Sequence, residues 1–143
     1  MRKPGIIAAL AILMVMLSFG VAQMQTRFQI AEFENSPLRL LAISVPAAAR
    51  ESFLVRMKKF AEENGFSQVI RPIHPVKPEF GVDLWRRDVA LFGDNLLGDK
   101  VFKFRLYANK KQPISSPSAD ALIGQLTAAL QSIPDVAVSI TPP

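Results

Sequence analysis

The segment Val101–Ala108, VFKFRLYA, is what most limits the fold of this chain. Phe102, Phe104, Leu106 and Ala108 alternate with Lys103, Arg105 and Tyr107. Successive side chains of a strand point to opposite faces. This strand therefore needs a sheet with one apolar face under cover and a basic, aromatic-bearing face behind it.

Two stretches have the spacing to supply that cover. From Pro46 to about Asn64, the residues Ala49, Phe53, Met57, Phe60 and Ala61 recur at three and four and make one apolar stripe. Arg50, Glu51, Arg56, Lys59, Glu62 and Glu63 lie largely off it. Pro46 suits a first helical turn and Gly65 a helix end. The second stretch begins near Ser116 or Ser118, either able to cap it, with Pro117 in its first turn. Leu122, Leu126, Ala129, Leu130 and Ile133 form its stripe, and Pro134-Asp135 stops it.

Three further strands are expected. Leu38–Val45 is a short apolar run of buried-strand type. Gln68–His74 contains Pro72 and is followed by Pro75, which confines it to a sheet edge or cuts it short. Val136, Val138 and Ile140 alternate with Ala137 and Ser139 in a last half-buried strand.

Val82–Phe92 breaks its own pattern. Val82 and Leu84 share one parity; Trp85, Val89 and Leu91 share the other. Whichever set faces the core, a charge falls in line with it: Arg86 and Asp88, or Asp83 and Arg87. Three arrangements fit. A β-bulge near Arg86-Arg87-Asp88 could switch the faces, and this is the preferred reading. An Arg–Asp pair could sit near the core at a desolvation cost. Or the outer face could be apolar here and covered by Phe28 and Phe33 or by a second subunit.

The expected order is β-α-β-β-β-α-β. The fold class is α+β: a two-layer sandwich with both helices on one face of a mostly antiparallel sheet of 4–5 strands, a ferredoxin-like variant. The order is similar to that of small cell-envelope domains such as SPOR-type peptidoglycan-binding modules. No motif of theirs maps onto residues here, so the resemblance implies no site.

Before this domain stands a leader. Arg2 and Lys3 precede an apolar run, Ile6–Phe19, interrupted only by Ser18, and Gly20-Val21-Ala22 offers small residues for cleavage. Residues 1–22 are expected to be a signal peptide cut after Ala22, with an uncleaved single-pass anchor as the alternative. Both deliver the domain across the membrane, to the periplasm or beyond, because the positive charges stay inside. Residues 23–37 read as a linker, with Asn35-Ser36-Pro37 a turn signal, and residues 38–143 as one domain. Phe28, Ile30 and Phe33 in that linker either ride on a tether or dock on the domain.

The charge is +5, and removing the leader cations Arg2 and Lys3 leaves +3. That mild excess permits contact with anionic lipid or polymer without requiring it. There is no cysteine, which excludes a disulfide framework, a thiolate nucleophile and a Cys-held metal.

The candidate site is a face formed by Arg86, Arg87, Lys103, Arg105 and Tyr107, suited to an anion or a partner. Basic strands bearing an aromatic can bind nucleic acid, but export argues against that partner. Anionic lipid, a cell-wall polymer or another envelope protein is expected instead, and a homodimer is the alternative. His74, the only histidine, has no acidic neighbour in sequence, and Trp85 reads as a packing anchor. The loop Gly93–Asp99 carries Asp94, Asn95 and Asp99, too few oxygens at too wide a spacing for a calcium loop. No nucleophile, zinc or phosphate-loop motif is present. No cofactor or metal is expected, and the chain reads as a non-catalytic binding or accessory module of the envelope. A hydrolase with an unrecognised site is the remaining alternative.

Overall fold

The computed structural model describes residues 31–141. The leader and Phe28 lie outside them. By its contacts the chain divides into Met1–Glu32 and Phe33–Pro143.

The second unit is α+β: one antiparallel sheet of six strands with two helices, a two-layer arrangement. The strands are β1 (Arg39–Ser44), β2 (Ser67–Arg71), β3 (Gly81–Trp85), β4 (Val89–Asp94), β5 (Val101–Ala108) and β6 (Ala137–Thr141). The helices are α1 (Arg50–Glu63) and α2 (Ser116–Gln131). Among the described residues, no helix is long and apolar enough to cross a membrane.

The sheet order is β2-β3-β4-β5-β1-β6, with every neighbouring pair antiparallel. It follows that β1 and β2 run parallel to each other, as do β5 and β6. Each helix connects such a pair. Three strands, β5, β4 and β3, stand between β1 and β2, while β1 alone stands between β5 and β6.

The sheet has six strands rather than four or five because Val82–Phe92 is a hairpin, not one bulged strand. Trp85 pairs with Ala90 and Leu84 with Leu91, and the Arg86 N–H donates to the Val89 carbonyl at 3.0 Å. The turn between them reverses the chain, so the two parities of the sequence belong to two strands. Val82, Leu84, Val89 and Leu91 all reach the core. The Arg86–Asp88 pair sits in the turn, with Nε to Oδ1 at 2.8 Å and both side chains about a third exposed, so its desolvation is partial.

One face of the sheet shares a continuous buried cluster with both helices. Phe102, Phe104 and Leu106 of β5 and Leu41 and Ile43 of β1 meet Phe53, Met57 and Phe60 of α1 and Leu122, Leu126 and Leu130 of α2. Phe102 sits at its centre, with ring centroids 5.0 Å from Phe53, 5.1 Å from Phe80 and 4.8 Å from Phe104. Gly93 lies opposite Phe104 because a Cβ there would collide with the Phe102 and Phe104 rings.

Local signals place the helices. α1 ends at Asn64, and the Phe66 N–H returns to the Ala61 carbonyl around Gly65, as in a Schellman end. Ser115, one residue before the expected candidates, caps α2 by accepting from the Ser118 N–H at 3.3 Å. β2 stops at Arg71, ahead of Pro72, and lies at an edge of the sheet.

The compact unit begins before the expected boundary at Leu38. Phe33 is 4% exposed, bridges to Asn109, and is followed by a Glu34 N–H donated to the Ala108 carbonyl at 2.9 Å.

Candidate functional site

The face of the sheet turned away from the buried cluster is organised by strand register into three rows. In the first, Arg71, Gly81, Asp94, Lys103, Ala42 and Ser139 lie side by side across the strands. In the second, Val69, Asp83, Phe92, Arg105, Leu40 and Thr141 do so. In the third, Ser67, Trp85, Ala90 and Tyr107 do. Trp85, Phe92, Arg105 and Tyr107 are all partly exposed, and Lys103 is exposed.

The middle of this face is aromatic. Phe92 stands 5.9 Å from Tyr107 between centroids, and 6.3 Å from Phe33, which meets it edge-on at 84°. Such spacings are those of favourable ring pairs. Phe33 thus docks on the outer face and bounds the strip at the end where β5 finishes. Trp85 lies across Ala90 from Tyr107 in the strand register, and Ala90 between them is fully buried.

The first row is charged with both signs. Lys103 lies opposite Asp94, and Arg71 crosses Gly81, where any Cβ would meet its guanidinium, to reach Asp83 at 3.5 Å. Burial holds the Asp83 carboxyl above the usual aspartate value. Arg71 opposes that rise and Asp94 adds to it. At 3.5 Å, and with the Arg71 side chain half in solvent, the ion pair does not outweigh desolvation.

Of the five expected site residues, three come together. Lys103, Arg105 and Tyr107 share the outer face of β5. Arg86 turns elsewhere: besides Asp88, it donates from Nη1 to the Asn64 carbonyl at 3.0 Å, and its guanidinium lies 4.9 Å over the Phe66 ring. It fastens the β3–β4 turn to the end of α1. Arg87 is exposed at the tip of that turn. Sequence reasoning missed Trp85, Phe92, Asp83 and Asp94 as members of the face. Asp83 and Trp85 share one parity and Phe92 and Asp94 the other, and only a hairpin puts all four on one side.

The polar residues of the connecting loops serve structure. Asn95 is 1% exposed; its Oδ1 accepts from the Phe80 N–H at 2.6 Å, and its Nδ2 donates to the carbonyls of Pro78 and Asp99. It ties the loop before β3 to the loop after β4. His74 is exposed, and its Nδ1 accepts from the amides of Val76 and Lys77 at 3.2 and 3.0 Å. An open cleft of about 200 Å³ brings Arg71, His74, Glu79, Asp94 and Asn95 to one rim. Among the described residues, no group of three or more His, Asp or Glu side chains could hold a metal ion. A larger groove of about 470 Å³ lies on the helix layer between Val55, Arg56 and Lys59 of α1 and Ile133-Pro134. Arg50 is buried, donates to the Gly98 carbonyl at 3.1 Å, and leaves its Nε unpartnered.

Compared with known proteins, the chain matches no protein-family model and no curated protein.

Proposed function

We propose that the protein is an exported cell-envelope binding module without catalytic activity, and that it recognises its partner through the open face of the sheet. The observation that carries this reading is the aromatic strip Trp85–Phe92–Tyr107 lying partly exposed beside Lys103 and Arg105. Partly exposed aromatics on a rigid sheet supply contact area at little entropic cost, with a polar tip on Trp and Tyr. The leader supports export, whether cleaved near Ala22 or retained as an anchor.

Charge distribution favours one partner class. A polyanion such as a lipid surface would meet Asp83 and Asp94 in the same rows as Arg71, Lys103 and Arg105. A polyhydroxylated cell-wall polymer has donors and acceptors for both signs and apolar sugar faces for the rings. Co-sedimentation with purified insoluble cell wall tests this: retention that survives a rise in salt is expected. Retention on anionic vesicles instead, lost steeply with salt, would replace the polymer with lipid.

The alternative is that a protein covers this face, a second copy or an envelope partner, with the apolar sides of Trp85 and Phe92 as its core. Light scattering that finds only monomer, together with an empty pull-down, would remove that alternative. The architecture itself we infer to be a ferredoxin-like variant, with both helices on one face. The two crossovers β1-α1-β2 and β5-α2-β6 keep that plan, and the β3–β4 hairpin is inserted between β2 and β5.

A further inference from the structure

The two edges of the sheet are unlike each other. β2 carries Gln68 and Arg71, is cut off by Pro72, and has its Arg71 side chain drawn across Gly81. Charged residues and proline are the usual means of blunting an edge. β6 carries no charge in Ala137-Val138-Ser139-Ile140-Thr141. Pro142 follows it as Pro72 follows β2, so charge and not proline separates the two edges. Among the described residues β6 has a neighbour, β1, on one side only.

The side chains of β6 are equally unprotected. Ile140 shares a row with Leu41 and Phe104, which are 2% and 0% exposed, yet is itself 52% exposed. The row of core residues runs to the edge and ends in solvent. Val138, beside Ile43, is only partly buried.

The strand is also self-complementary. Paired antiparallel with a second copy about Ser139, it sets Val138 opposite Ile140 of the second copy, and Ile140 opposite the copy's Val138. Both pairs then lie on the core side and continue the apolar row. Ala137 and Thr141 face each other on the other side, with no like charges opposed. We propose that β6 is a self-pairing edge through which two copies of this chain join antiparallel across a two-fold axis at Ser139, giving one continuous sheet through both copies. The contact is isologous and closed, and it leaves the aromatic face of each copy free.

An edge pair of this length buries less than a standard interface, so the association is weak and covalent trapping suits it better than chromatography. The chain contains no cysteine, so one introduced thiol reports alone. Opposed residues of an antiparallel pair lie roughly 4.5–5.5 Å apart between Cα atoms, within disulfide reach. In cells expressing the full chain, Ser139→Cys under mild oxidation is expected to give a covalent dimer at twice the 15.8 kDa chain mass, less any cleaved leader. Ala137→Cys alone should stay monomeric, and Ala137→Cys with Thr141→Cys should dimerise. Val69→Cys, exposed on the opposite edge strand, is the collision control and should stay monomeric. Adding Ile140→Lys to Ser139→Cys should abolish the dimer while the circular dichroism of the purified protein is unchanged. A Ser139→Cys yield no higher than that of Val69→Cys overturns the proposal, as does a dimer that survives Ile140→Lys in the folded protein.

Discussion

β5 shows the two faces of this molecule on one backbone. Phe102, Phe104 and Leu106 are wholly buried under the helices; Lys103, Arg105 and Tyr107, interleaved with them, are left partly or fully in solvent. The covered face is fixed by volume: rings at 4.8–5.1 Å and a glycine, Gly93, where no methyl fits. The open face is fixed by register: aromatics gather in the middle, and charges of both signs alternate along one row. Stability resides in the first face, and the proposed function puts recognition on the second, so substitutions one residue apart should act on different quantities.

The largest effect should come from the covered face. Phe102→Ala removes a ring with 0% exposure that touches three others and leaves a cavity, and is expected to cost about 3–5 kcal/mol in denaturant unfolding. An effect near that of the neighbouring Lys103→Ala would break the distinction between the faces. Asn95→Ala should come next, at about 1–3 kcal/mol, because it leaves the Phe80 amide without its acceptor in a buried loop junction.

Two arginines sharpen the comparison further. Arg86→Ala gives up the Asp88 pair, the Asn64 carbonyl and the Phe66 ring together, and should destabilise by about 1–2 kcal/mol without changing binding. Arg105→Ala, on the open face, should alter stability by no more than about 0.5 kcal/mol while weakening cell-wall retention severalfold. Thermal melts and co-sedimentation on the same samples separate the two.

The smallest expected effect is electrostatic and concerns Asp83. Burial raises its carboxyl above the usual aspartate value, so the folded chain holds a proton over an interval in which the unfolded chain has released it. Stability should therefore fall as pH rises from the usual aspartate value through the raised one, then level off. Asp83→Asn should remove that fall and stabilise the protein at neutral pH. Below the usual value the two should converge. Melting temperatures across the acid range check this; a variant less stable than wild type at neutral pH would mean that the Arg71 pair outweighs desolvation.

Much of the covered face was legible in the sequence. The alternation of β5 and the stripes of α1 and α2 follow directly from strand and helix geometry. The Gly65 end and the Pro72 stop are local steric facts. The hairpin at Arg86-Arg87-Asp88 was not legible. Among the described residues only Asp135, Gly65 and Gly98 take positive φ, so this turn reverses the chain without one, and it carries no glycine, asparagine or proline to announce it. A reversal and a bulge both exchange parities, and only the pairing of Leu84 with Leu91 tells them apart. The candidate face was legible in part for the same reason. Lys103, Arg105 and Tyr107 lie on one clean strand, whereas Trp85, Phe92, Asp83 and Asp94 join them only once the hairpin is known. Arg86 looked like a surface cation, and its attachment to Asn64 and Phe66 is a tertiary contact with no local signature.

The central claim is that the open face is the one that binds. The most direct measurement is the change in backbone amide NMR shifts of the protein on titration with solubilised cell-wall glycan fragments. Shifts confined to β3, β4 and β5, strongest at Trp85, Phe92, Arg105 and Tyr107, are the expected result. Shifts centred on α1 and α2, or none at fragment concentrations that saturate sedimentation, would contradict it.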